Sequence, residues 1–259
     1  MNQELAFEES TSFDPERGLI AGLVGMAPLL IAYELLQLSG ASARCSSELF
    51  VTAILQPLGA WEGTARSGLI LILLLFSAFT CLREGAPLVP LIGRQVLRGA
   101  LCSLLLGPLL LLMMVLLGHS VSSGAPQLAP DGSEVLLAVS GAAWEELVFR
   151  VGLYGLLFLG ARRLAFFSGV TERWASFFGE TVGLLGSSGL FAAAHLELFS
   201  GWLGRGGEEF SGAVFIFRFG AGILLGLLFR WRGPGVSAWS HGFFNLSLAV
   251  GWTPAVLVN

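Results

Sequence analysis

Runs of about 20 apolar residues recur along this chain, at 18–38, 67–82, 99–118, 133–158, 184–204, 211–229 and 236–257. An α-helix needs a run of that length to cross the ~30 Å hydrocarbon core of a bilayer. Within lipid, only helices and closed barrels satisfy their own backbone groups. The expected fold is therefore all-α, a polytopic transmembrane helical bundle of about seven spans. The second run is short, and "LFVTAILQPLGAW" (49–61) is shorter still, so 49–61 reads as re-entrant or interfacial; if it crosses, there are eight spans. Composition agrees: 54% of residues are hydrophobic, only 12% are charged, and the mean hydropathy is +0.77. A soluble domain carries about twice that share of charge.

The first 17 residues are acidic (Glu4, Glu8, Glu9, Asp14, Glu16, with Arg17). A cleavable signal would begin with positive charge, so 1–17 reads as a tail and the first run as a retained span. No internal repeat or long linker divides 18–259, which reads as a single transmembrane domain. All 14 basic residues are Arg, a sign of genome bias. They gather in the connections 83–98, 161–173 and 230–235, whereas 119–133 has none and 200–210 has one against Glu208 and Glu209. Basic loops stay cytoplasmic, which puts the N-terminus inside and the C-terminus outside. Cys45, Cys81 and Cys102 form neither a CxxC pair nor an even set, and read as packing residues.

Against this background "WEELVFR" (144–150) stands out, because it puts Glu145, Glu146 and Arg150 inside an apolar run. One charge near the bilayer centre costs at least ~3 kcal/mol on insertion scales. Residues four apart share a helix face, so Glu146 can pair with Arg150, while Glu145 points about 100° away, free of that pair. Two of the three histidines also lie in late spans: His195 in "LFAAAHLELF" and His241 in "AWSHGFFNLSL". Phe191 shares the face of His195, and Asn245 that of His241. His119, at the end of the third span, reads as an interfacial residue. A lone polar group in a membrane helix is commonly helix-to-helix glue, at about 0.6 kcal/mol. Glu34 and Arg218 are read in that way, or as snorkelling to an edge. A double Glu, two His and an Asn on three helices are costly as glue, and such residues are functional by default.

The order EExxxR (Glu145, Glu146, Arg150), FxxxH (Phe191, His195), HxxxN (His241, Asn245) resembles the CPBP superfamily. These are CAAX-protease and bacteriocin-processing intramembrane enzymes, formerly the abortive-infection family. The resemblance covers about 133–250, and residues 1–130 lie outside it. It implies a glutamate-dependent endopeptidase with no metal and no cofactor. Glu145 with His195 would activate a water, His241 and Asn245 would hold the oxyanion, and Glu146, Arg150 and Phe191 would support the site. The partners it implies are the lipid bilayer and a membrane-anchored peptide or protein, with no nucleic acid. The Arg-only, Ala/Gly-rich composition points to a bacterial inner membrane, where a C-terminal sorting signal is a more natural substrate than a prenylated protein. Bacteriocin processing, self-immunity and CAAX cleavage are the other substrate readings.

Two competing readings stand beside this one. Two His and a Glu are a common zinc ligand set, although HExxH is missing and an amide such as Asn245 is a poor zinc ligand. Gly-rich helices (35 Gly) would also suit a transporter or a non-catalytic scaffold. Transporters usually show two related halves, and none is visible here.

Overall fold

The computed structural model describes residues 18–40, 45, 47–117, 132–201 and 209–250. The acidic tail 1–17, His119, Glu208 and the last part of the seventh predicted span lie outside them. The described residues are helical and contain no strand. In chain order the helices are α1 (Leu19–Leu38), α2 (Glu48–Leu55), a 3-10 turn (Gln56–Trp61), α3 (Glu62–Arg83), α4 (Leu88–Leu116) and α5 (Gly132–Glu145). There follow a π-helical segment (Glu146–Tyr154), α6 (Gly155–Phe167), α7 (Glu172–Ala193), the short α8 (Glu197–Ser200), α9 (Gly212–Arg232) and α10 (Pro234–Ala249). Among the described residues, four stretches are long and apolar enough to cross a membrane: Leu19–Leu38, Phe50–Arg83, Leu88–Leu116 and Gly212–Arg232. This is an integral membrane protein.

The helix ends follow from local chemistry. Gly233 has φ 85°, a left-handed backbone that costs only glycine nothing, and its N–H closes α9 on the Phe229 carbonyl at 2.8 Å. Pro234 then opens α10 at a position where the missing N–H is harmless. Arg230 and Arg232 lie in the last turn of α9, at the negative end of its dipole. Between α2 and α3, Gly59 at φ 55° turns the chain, so 49–61 forms an eight-residue helix and a 3-10 turn leading into α3.

Helix α10 packs against α1, α4, α5 and α9, while α6 and α7 form a hairpin and α7 lies against α9. These approaches are close because small residues sit at the crossings. A Cβ on Gly22 would be 2.3 Å from Pro234, one on Gly99 2.4 Å from Trp239, and one on Gly222 2.9 Å from Ser188. The largest core cluster joins Met26, Leu30 and Tyr33 of α1, Ile70 and Leu74 of α3, Trp144 of α5 and Ala238 of α10. Leu71, Leu75, Phe79, Leu104 and Leu105 point outward, as lipid-facing residues should.

Two boundaries differ from the sequence reading in ways that matter for the site. The fifth run, at 184–204, is met instead by α7, which starts at Glu172 and ends at Ala193 and has "GETVGLLG" (179–186) in its middle. The polar look of 179–186 misleads because Glu180 is neutralised: Arg230 donates to it at 2.9 and 2.5 Å, and the Tyr154 hydroxyl donates to it as well. The glycines beside it are contact points, since a Cβ on Gly179 would be 2.8 Å from the Phe158 carbonyl oxygen. The third span also begins early, at Leu88, so Arg94 and Arg98 ride on α4 rather than in a loop.

Candidate active site

Glu145 closes α5, and Glu146 opens the π segment, so the pair sits where the helix changes winding. The wider π turn recurs at functional sites. Here the two carboxylates diverge yet both reach the same imidazole. His241 Nε2 is 3.5 Å from Glu145 Oε2, and His241 Nδ1 is 3.2 Å from Glu146 Oε1. The Ser237 hydroxyl, one turn earlier on α10, donates to Glu146 Oε2 at 2.7 Å. Arg150 Nε lies 3.6 Å from the same oxygen, the i,i+4 pair expected from the sequence. Glu146 and Arg150 are both fully buried.

His195 follows the end of α7, just beyond the Ala194 cap. Its Nδ1 is 2.8 Å from the Phe191 carbonyl oxygen, which can only accept. The Nδ1 proton is therefore committed to the backbone, leaving Nε2 to face Glu145 Oε1 at 3.6 Å. Phe191 fills the space between these groups. Its ring centroid is 5.1 Å from that of His195 and 6.1 Å from that of His241, and the Arg150 guanidinium lies 4.9 Å from its centre.

The chain thus brings Glu145, His195, His241, Glu146, Arg150 and Phe191 together. Asn245 stands apart from them: its amide nitrogen donates to the Ala138 carbonyl at 2.9 Å, two turns before Glu145 on α5. Glu145, His195 and His241 are residue types a catalytic metal would use, but among the described residues no three such donors converge as a metal site requires.

Sequence reasoning missed two features. Ser237 gave a usable signal, since it lies four residues before His241 and so shares its face. The second is a charged cluster behind Trp144. Glu34 is 6% exposed and does not snorkel; it accepts from the Trp144 indole at 3.1 Å, from Arg66 Nη2 at 3.0 Å and from Ser67 at 2.6 Å.

Residues 133–247 match the model of the Rce1-like family, type II CAAX prenyl endopeptidases. No curated protein and no solved structure matches the chain. The three motifs all fall inside the matched segment, and over residues 133–247 the chain is similar to this Rce1-like family of type II CAAX prenyl endopeptidases.

Proposed function

We propose that this protein is a glutamate-type intramembrane endopeptidase that cuts a membrane-tethered peptide by attack of an activated water. The observation that carries the reading is the convergence of two imidazole Nε2 atoms, from α10 and from the end of α7, on one carboxylate, at 3.5 and 3.6 Å. Both imidazoles therefore stand directly beside the one carboxylate, in reach of a reacting group placed next to it.

In this reading Glu145 and His195 take a proton from the water as its oxygen bonds to the peptide carbonyl carbon. The oxyanion that forms is met by the Nε2–H of His241, which requires the ring to carry a proton on Nδ1 as well, donated to Glu146. One such donor is worth about 3 kcal/mol of transition-state stabilisation. The C–N bond then breaks, and the proton passes from the Glu145–His195 pair to the leaving amine. Asn245 would add a second donor through the other hydrogen of its amide, the first being held by the Ala138 carbonyl. The substrate we favour is a protein with a short C-terminal membrane anchor, such as a sorting signal in a bacterial inner membrane. A prenylated tail is the alternative that the family match supports.

The test uses purified protein in lipid nanodiscs and two internally quenched peptides, one with a C-terminal hydrophobic anchor and one with a prenylated cysteine tail. Cleavage of either that survives chelation by EDTA and 1,10-phenanthroline is expected. Stoichiometric zinc, with activity lost on its removal and regained on its return, would replace this mechanism with a metalloprotease one. Cleavage of neither peptide would count against the substrate class.

A further inference from the structure

The N-terminal spans, which lie outside the family match, bury a charged network against the back of the proposed site. Arg66 of α3 sits between two carboxylates, Glu34 of α1 and Glu48 of α2. Glu48 also accepts from the Tyr33 hydroxyl at 2.5 Å, and that hydroxyl accepts from the Cys45 backbone N–H at 3.0 Å. All three charged side chains are at least nine-tenths buried. Such a cluster is an expensive way to hold helices together, because desolvation offsets much of the attraction.

It is tied to the helix carrying Glu145 through Trp144. The Trp144 indole N–H donates to Glu34 Oε1 at 3.1 Å, and the Trp144 ring lies 6.0 Å from that of Tyr33. Trp144 is 2% exposed and immediately precedes Glu145. Because α5 gives way to the π segment at Glu146, the regular α ladder does not continue through Glu145 to fix its direction. An indole tied to a charged acceptor on another helix does fix the roll of that last turn.

From this geometry we infer that Glu34 is a positioning residue for Glu145, acting through Trp144, with Arg66 and Ser67 holding its carboxylate in place. This rests on the proposed role of Glu145. The N-terminal spans are then part of the catalytic apparatus as well as an anchor.

Trp144→Phe keeps an aromatic ring but loses the N–H and part of the indole's volume, whereas Glu34→Gln leaves Trp144 whole, keeps an acceptor oxygen and loses the charge. On whichever quenched peptide the wild-type protein cleaves, each variant is expected to lower kcat by roughly 10- to 100-fold, the scale of an ångström-sized misplacement, with KM little changed. The double variant should be no worse than the poorer single one, because both act on one link. Full kcat in the folded Trp144→Phe protein, or losses that multiply, would overturn the inference.

A second readout needs no substrate. Cys45 lies between α1 and α2, and a Cβ on Gly141, one turn before Glu145, would be 3.3 Å from its Cβ. Burial, and then the Glu145 charge, push the Cys45 thiol up to about 12. With Cys81 and Cys102 changed to Ser, Glu145→Gln should speed Cys45 modification by methyl methanethiolsulfonate, by roughly 3-fold for each tenfold gain in thiolate, because a less basic thiolate is also a weaker nucleophile. Trp144→Phe should shift that rate measurably in the same direction. An unchanged rate in Trp144→Phe would overturn the inference even if neither peptide is cleaved.

Discussion

At the scale of single residues, the two adjacent glutamates differ through their surroundings. Glu146 is fully buried and held by Ser237, His241 and Arg150. Glu145 is the partly accessible one, facing two imidazoles. Among the described residues no hydrogen-bond partner meets the three Arg150 nitrogens, and the guanidinium is held by the Glu146 charge and the Phe191 face. Arg150→Ala therefore removes a charge partner and leaves Glu146 with Ser237 and His241, at a cost of about 3–5 kcal/mol. Its melting temperature in detergent should fall well below wild type, and adding Glu146→Gln should recover part of the loss. An unchanged melting temperature for the single variant would contradict this account of the pair.

At the scale of elements, glycines at helix crossings set how close the helices can come. Gly179 of α7 faces the Phe158 carbonyl oxygen and the Arg162 Cβ of α6, at 2.8 and 3.0 Å from where a Cβ would stand. Gly160 of α6 has nothing within 4 Å. Gly179→Ala should separate the hairpin and lower thermal stability by about 1–3 kcal/mol, the usual range for overpacking. Gly160→Ala should be neutral or slightly stabilising. Equal effects at the two positions would show that the hairpin does not depend on this contact. The α6–α7 hairpin also shows where sequence reading stopped. Apolar run length revealed the helical class, and i,i+4 spacing revealed the Glu146–Arg150 and Phe191–His195 pairings, because each depends on local periodicity. The start of α7 was hidden because Glu180 looks like a loop residue until Arg230, 50 positions away, is brought beside it. The π winding of 146–154 was hidden as well, since it leaves no periodic signature in so short a segment. Glu34 looked dispensable for the same reason: its partners Arg66 and Trp144 are 32 and 110 residues distant.

At the scale of the whole molecule, the arrangement places a polar site inside a bundle whose outer surface is apolar. Orientation in the bilayer follows from Arg162 and Arg163 of α6 and Arg173 of α7, which flank the α6–α7 connection and should put it on the cytoplasmic side. With Cys45, Cys81 and Cys102 replaced by Ser, Thr171→Cys at the exposed tip of that hairpin should react with impermeant thiol reagents only from the inside of oriented vesicles. Ser133→Cys, at the exposed start of α5, should react only from the outside. The reverse pattern would invert the topology and open the site toward the other face. The central claim is that Glu145 activates water, and the most direct measurement compares kcat of wild type, Glu145→Gln and Glu146→Gln on the cleaved peptide, each variant first shown to be folded by its melting curve. Loss of one general base costs about 10²–10⁴-fold, so Glu145→Gln should fall at least that far with its melting curve intact. Glu146→Gln should retain measurable turnover with a lowered melting temperature. Turnover by Glu145→Gln at the wild-type rate would contradict the account.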